Sequence, residues 1–214
     1  MYHAKRKIDH YRNMQPVTPP LPQSTRRSSS WRIRCLIALA LVPAIIFGSV
    51  TSLRLLGLFR PFYIPVGSMA PALSKRDHVA MEGITFLLRY PRRGDVVVFN
   101  SDHIEFLAPQ TFYTKRVVGV PGDHLTISNG DLFIDDKLVI LSNNEGRIVY
   151  DAPPISGSFS LQTNVTVADD CYFLLGDNST NSFDSRFIGA IPRKEIVGRI
   201  IFCYWPPSRI GIVR

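Results

Sequence analysis

Nineteen consecutive uncharged residues, Cys35 to Leu53, lie near the N-terminus of this 214-residue chain, and most are Leu, Ile, Ala or Val. An α-helix rises about 1.5 Å per residue, so this run spans roughly 28 Å, close to the ~30 Å hydrocarbon core of a bilayer. It has no polar face, which argues against a surface helix of a soluble domain. Pro43 would break a soluble helix, but inside a membrane it is tolerated, usually with a kink. A cleaved signal peptide has a short basic leader and a shorter apolar core. Here 34 residues precede the run, so it reads as a retained anchor. Arg26, Arg27, Arg32 and Arg34 stand before it, and Arg54 and Arg60 after it. The positive-inside rule then predicts a cytoplasmic N-terminus and a C-terminal domain on the far side. Leu55–Phe59 adds a further apolar stretch suited to the membrane interface.

The formal net charge of +8 sits almost entirely ahead of the anchor. Residues 1–34 hold eight Lys and Arg (Lys5, Arg6, Lys7, Arg12, Arg26, Arg27, Arg32 and Arg34) against the single acid Asp9. The rest of the chain is nearly neutral, with 17 basic and 16 acidic residues. A nucleic-acid binder places its basic patch on the folded domain, so nucleic acid is not an expected partner. Residues 1–32, with Pro16, Pro19, Pro20, Pro22 and the Ser28–Ser30 run, are predicted to be a disordered cytoplasmic tail. The membrane helix is expected over 33–54.

The chain has three cysteines and five scattered histidines, with no HExxH arrangement and no zinc-type spacing. No metal or cofactor is expected. Cys35 belongs to the apolar run, while Cys171 and Cys203 both fall in strand-like segments. Two separate core thiols are the simpler reading of that pair, and a disulfide is the alternative.

Residues 60–214 read as a mostly β domain. Asp95–Phe99 is a short apolar run suited to a central strand, and Phe112–Val120 is a second strand with polar interruptions. Leu125–Ile127 and Leu132–Ile134 flank Asn129-Gly130, a strong hairpin signal. Phe159, Leu161, Thr163, Val165 and Val167 alternate as on a one-sided strand. Cys171–Leu175 and Ile196–Trp205 complete the set. Short strands with regular turn signals predict a coiled, antiparallel, barrel-like sheet. No long amphipathic helix is evident beyond residue 60. Residues 141–158, with Pro153-Pro154, look irregular, and 124–170 is expected to be an excursion away from the chemistry.

Several short motifs carry little. Arg93-Gly94-Asp95 precedes a strand and reads as a turn. Asn164-Val-Thr166 and Asn178-Ser-Thr180 match only a three-residue glycosylation pattern. Gly122-Asp123 and Gly176-Asp177 lack the rest of a phosphate loop. Ser68 is a more interesting residue, because it follows Gly67 between Pro65 and Pro71. Taken alone, a Gly-Ser there is more often a turn than an active site. A nucleophilic serine needs a base. Lys115 stands in an otherwise apolar strand beside Arg116, and strand geometry sends the two to opposite faces. One is expected to face solvent and the other to face inward. A desolvated lysine has a lowered pKa and can act as a general base. Without further context both are more simply surface residues.

Five blocks in order supply that context. They are Ile64-Pro-Val-Gly-Ser-Met-Ala-Pro-Ala-Leu73, Arg93-Gly-Asp-Val-Val-Val-Phe99, Lys115-Arg-Val-Val-Gly-Val-Pro-Gly-Asp123, the stretch from Gly176-Asp-Asn178 through Ser182-Phe-Asp-Ser-Arg186 to Gly189, and Ile196-Val-Gly198. The segment from Phe62 onward resembles the type I signal peptidase family. One block is weak evidence, but five in the family's order are specific. The resemblance implies Ser68 as nucleophile, with its backbone amide as oxyanion donor, and Lys115 as general base. It implies that the Ser182 hydroxyl holds the lysine amine. Asp184 and Arg186 would be a paired acid and base shaping the site, with Met69 the neighbour of the nucleophile. The family's coiled β domain agrees with the strand reading. Its substrates are preprotein signal peptides held in membrane lipid, cut after small residues of the Ala-x-Ala type. Its place would be a bacterial inner (plasma) membrane, crossed once, with the catalytic domain outside.

The chain departs from the family pattern in two respects. Well-known bacterial members often carry Ser two residues before the nucleophile as a second oxyanion donor, and here Val66 cannot donate. One such donor is worth about 3 kcal/mol in the transition state. The domain is also compact, with one anchor, where the best-known Gram-negative enzymes have two membrane segments and larger insertions. These departures leave room for a relative specialised in conjugation or pilin maturation. A non-catalytic anchored relative is a further alternative. A self-cleaving Ser/Lys repressor is disfavoured by the anchor and by the Gly176–Arg186 block.

Overall fold

The computed structural model describes residues 29–143, 145–151 and 162–213. The chain divides into two compact units, 1–47 and 48–214. Helix α1 covers Ser29–Leu55, so the segment expected at 33–54 lies within it. Its Trp31–Leu55 stretch has a mean hydropathy of 2.3 and none of that window is buried, so it is long and apolar enough to cross a membrane. The disordered tail expected at 1–32 lies largely outside the described residues, as do Pro153-Pro154 and the Phe159–Leu161 part of the alternating strand.

After α1 come β1 (Phe59–Tyr63), β2 (His78–Glu82), the short helix α2 (Thr85–Leu88), β3 (Val96–Asn100) and β4 (Phe112–Gly119). The middle of the domain holds β5 (His124–Ser128), β6 (Asp131–Ile134), β7 (Lys137–Val139), β8 (Ser142–Asn143), β9 (Gly146–Arg147) and β10 (Asn164–Thr166). The chain then returns through β11 (Cys171–Leu175), α3 (Ser185–Ile188), β12 (Ile191–Pro192), β13 (Ile196–Trp205) and β14 (Gly211–Ile212). The main sheet runs β1-β2-β13-β3-β4-β11-β12, with β14 also on β13. All its pairings are antiparallel. A second sheet, β10-β5-β6-β7, is built from strands of the segment expected to be an excursion.

The curl of the main sheet follows from its longest strand. β13 shifts register twice against β2 and once against β3. Each such irregularity bends the strand and adds twist. One flank of β13 is therefore shared, with β3 along Ile196–Arg199 and β14 along Phe202–Cys203.

Three apolar clusters fill the domain. Val96 and Val98 of β3 point into one cluster with Met69, Leu73, Val79, Met81 and Ile200. Val97 and Phe99 point into a second with Phe86, Val117, Tyr172 and Leu174. Both faces of β3 are covered, which explains its unbroken apolar run. A third cluster joins Phe173 and Leu175 of β11 to Leu125, Leu132 and Ile134 of the second sheet. In the β5–β6 hairpin, Asn129 (φ 51°) and Gly130 (φ 80°) are both left-handed, as a two-residue turn of this kind requires.

Three sequence expectations need correction or detail. Lys115 and Arg116 do alternate, yet neither faces solvent, since they are 4% and 1% exposed. Val117 of β4 packs into the second cluster and Val118 into the third, so both faces of β4 are covered. Cys171 and Cys203 are free thiols. Beyond α1 the α-helices among the described residues are four residues long.

Candidate active site

Three strands end around one cleft. The chain leaves β1 at Tyr63 and passes through Ile64–Met69, which lines one wall. The first half of β4, Phe112–Lys115, lines another. β11 ends at Leu175, paired with Arg116, so β4 has no partner on that side from Phe112 to Lys115 among the described residues. The turn after β11 supplies Thr180–Phe183 as the third wall. The cleft holds about 870 Å³.

Ser68 and Lys115 are 47 residues apart in the chain and meet here, with Lys115 Nζ donating to Ser68 Oγ at 2.9 Å. Met69 is 2% exposed and anchors the segment in the core beneath. Ala70 N bonds Gly67 O at 3.1 Å, and Leu73 N bonds Met69 O at 2.8 Å. These bonds fold the Gly67–Leu73 backbone tightly around the serine. Burial lowers the Lys115 amine from its ordinary 10.5 to about 8. The Asp184 carboxylate opposes that shift, Arg186 adds to it, and Asp177 opposes it again.

Ser182 lines the same cleft and is 6% exposed, and its hydroxyl has no hydrogen-bond partner among the described residues. The bond from Ser182 to the lysine amine that the resemblance implies is not made here, where the amine is bonded to Ser68. A Cβ added at Gly176 would overlap both Ser182 Oγ and the Ser68 carbonyl. That close approach requires glycine. Val66 is 59% exposed at the cleft wall and supplies no donor.

Asp184 and Arg186 form a buried two-point pair, with Nε to Oδ1 and Nη2 to Oδ2 both 2.9 Å. Asp184 also accepts from Gly176 N at 3.1 Å and caps α3 through Arg186 N. Arg186 reaches the carbonyls of Asp151 and Ser179 at 2.8 and 2.7 Å. The ion pair therefore fastens the whole 176–186 turn, which carries Ser182, to β11 and its surroundings.

Sequence reasoning missed a second such pair. Arg116 Nε and Nη2 bond Asp177 Oδ1 and Oδ2 at 2.7 and 2.6 Å, and Nη1 bonds Gly94 O at 2.9 Å. The signal was present in an arginine within an apolar strand and an aspartate two residues past the end of another. Only the pairing of β4 with β11 joins the two. Asn178 was also missed. It reaches Gly67 O through Nδ2 at 3.2 Å and Ser68 O through its backbone N–H at 3.1 Å.

Comparison with known proteins bears on this geometry. The family model described as signal peptidase, peptidase S26, matches residues 33–205. A probable signal peptidase I-2 of Synechocystis sp. is 37% identical over 152 residues, covering 71% of this chain and 65% of the relative. Thylakoidal processing peptidase 1 of Arabidopsis thaliana is 34% identical over 161 residues, covering 72% of this chain and 44% of the relative. In these two cases the chain spans less than two thirds of the relative. Signal peptidase I of Bacillus amyloliquefaciens is 32% identical over 157 residues, covering 72% of this chain and 80% of the relative. A crystal structure of a signal peptidase I from Enterococcus faecalis matches 52% of this chain at 24% identity, with a TM-score of 0.37. With most of its length matched by the family model, and relatives above 30% identity, the chain belongs to the signal peptidase family, peptidase S26.

Proposed function

We propose that this chain is a membrane-anchored serine endopeptidase that removes signal peptides from exported preproteins, with Ser68 as nucleophile and Lys115 as general base. The observation that carries the reading is the 2.9 Å bond between a lysine amine 4% exposed and a serine hydroxyl at the floor of an open cleft. A lysine lowered to about 8 has a useful neutral fraction near neutral pH.

The chemistry is acyl transfer. Neutral Lys115 takes the Ser68 proton as Oγ attacks the scissile carbonyl. The tetrahedral oxyanion is met by the Ser68 N–H, which donates to nothing among the described residues. Protonated Lys115 gives its proton to the leaving amine and, neutral again, activates the water that releases the acyl group. Asp184 and Arg186 shape the turn that presents Ser182, whose free hydroxyl is available to the lysine amine during these steps. The open edge of β4 suits an extended substrate added as a further strand. Cleavage after small residues follows the family pattern.

The positive flank ahead of α1 supports a reading with the N-terminus in the cytoplasm and the β domain outside a bacterial plasma membrane. Leu87, Leu88 and Tyr90 are 68%, 86% and 71% exposed beside the short helix α2. That helix is fastened to the chain just past α1 by Gly83 N to Leu58 O at 2.8 Å. We assign this apolar surface to lipid, together with the exposed Leu55 and Leu56.

Purified full-length chain in detergent, incubated with a preprotein, tests the assignment beside S68A and K115A. One cut after a small residue is expected for the wild type and none for either variant. Undiminished cleavage by K115A sinks the Ser/Lys mechanism.

A further inference from the structure

Resting on the reading of Ser68 N–H as the oxyanion donor, we infer that Asn178 is a positioning residue for that donor. With Val66 in place of a hydroxyl donor, the single backbone amide carries most of the stabilisation of the oxyanion, so its direction matters more than usual.

That direction is set through the neighbouring carbonyl. The Gly67–Ser68 peptide is not among the cis bonds. In a trans peptide the C=O of one residue and the N–H of the next point in opposite senses. Whatever holds the Gly67 oxygen therefore aims the Ser68 N–H. Two groups hold it, Ala70 N at 3.1 Å and Asn178 Nδ2 at 3.2 Å. Asn178 also grips the far side of the serine, its backbone N–H donating to Ser68 O at 3.1 Å. Thr180 Oγ1 donates to Asn178 Oδ1 at 3.4 Å, which leaves Nδ2 as the end facing Gly67. Asp177, immediately before Asn178, is locked to Arg116, so the asparagine is carried on a fixed backbone. Among the described residues Asn178 makes no hydrogen bond to Ser68 Oγ or Lys115 Nζ. Its effect passes through one peptide plane.

The experiment uses the full chain in detergent with a cleavable signal-peptide substrate, and two inhibitors of the same sequence. One is a peptide aldehyde, which adds Ser68 Oγ to its carbonyl and so forms an oxyanion, and the other is the corresponding alcohol, which does not. N178A removes the side-chain donor, and N178D keeps its shape but turns an acceptor toward the Gly67 oxygen. Both keep the backbone N–H. For both we expect kcat to fall about 10- to 100-fold with KM changed less than about threefold, Ala70 N still holding the carbonyl. Aldehyde affinity should fall by the same factor as kcat/KM, with alcohol affinity unchanged in both variants and the acidic limb of the pH profile unchanged in N178A; N178D adds a carboxylate near Lys115, so its limb should move to higher pH. A purely structural role would weaken aldehyde and alcohol together, and that result overturns the inference. So does wild-type kcat in either variant. If N178A unfolds, the isosteric N178D decides. The outcome is separable from the dyad assignment, because cleavage surviving in S68A or K115A defeats the dyad, while an intact dyad with unaffected Asn178 variants defeats only this inference.

Discussion

At the scale of single residues, Lys115 makes the sharpest claim. Its ordinary value of 10.5 falls to about 8 because burial penalises the charged form. On the proposed mechanism the neutral base disappears below about pH 8, so kcat/KM should drop roughly tenfold per pH unit on that acidic limb. The same shift has a stability consequence of definite sign. Between about 8 and 10.5 the unfolded chain binds the proton that the folded chain has released, so folding strengthens as pH rises through that window. Replacing the lysine by methionine removes the penalty. Denaturant melts of K115M should show a gain of up to about 3 kcal/mol at pH 7, fading by pH 10.5. A gain that does not depend on pH would show that packing, rather than charge burial, was responsible. Gly176 makes a steric claim. In G176A the new methyl must displace Ser182 or the Ser68 carbonyl. Overpacking of this kind costs about 1–3 kcal/mol, and cleavage should fall more than the melting point indicates. Ser68 and Lys115 were legible in the sequence only through the ordered blocks around them. The geometric content of Gly176 was not legible, because the approach of residues 68 and 182 is a tertiary event.

At the scale of elements, the turn between β11 and α3 is held by two buried ion pairs with different partners. Asp184–Arg186 is local, two residues apart, while Asp177–Arg116 spans 61 residues and ties the turn to β4. Removing one member leaves an unpaired buried charge. D177N should cost about 3–5 kcal/mol in a denaturant titration, because the Arg116 guanidinium is 1% exposed. It also deletes a carboxylate that raises Lys115, so the acidic limb of any residual activity should move below 8. An unmoved limb would detach the pair from the lysine. Among the strands, those with a clear pattern were readable. Asn129-Gly130 marked its hairpin, Cys171–Leu175 and Ile196–Trp205 were found at their observed bounds, and the valines of β3 marked a strand covered on both faces. β1 was not readable. Phe59-Arg-Pro-Phe-Tyr63 has no alternation, and Pro61 lacks an N–H. Such a segment is viable because it lies at the edge of the sheet, where one side needs no partner. β12 and β14 are two residues long, too short to carry any period.

At the scale of the whole molecule, the proposed function joins the apolar helix and the exposed Leu87–Leu88 surface in one scheme of substrate encounter. A peptidase and a preprotein confined to the same membrane meet in a plane, with fewer orientations to search. The doubly substituted L87D/L88D chain, reconstituted in vesicles, should cleave a membrane-inserted preprotein about tenfold more slowly, since apolar side chains on an interfacial helix supply the binding. Its cleavage of a short soluble peptide in detergent should be unchanged. Equal loss on both substrates would place these leucines in the fold or the cleft instead of at the lipid.

The sequence by itself determined the features that depend on composition and local order. These are the anchor, its charged flank, the β character of the rest, the principal strands, and the family to which the five blocks point. Each is written in residues near one another along the chain. Tertiary structure alone decided how both Lys115 and Arg116 come to be buried, why Gly176 must lack a side chain, and how Asn178 reaches the Gly67–Ser68 peptide. The reason is physical. Both faces of β4 are covered only when Val117 packs into one apolar cluster and Val118 into another, and the cleft exists only where β11 stops short of the end of β4. The membrane segment announced a tether from the first reading, but the meeting of Ser68 with a desolvated lysine 47 residues away is made by strand pairing.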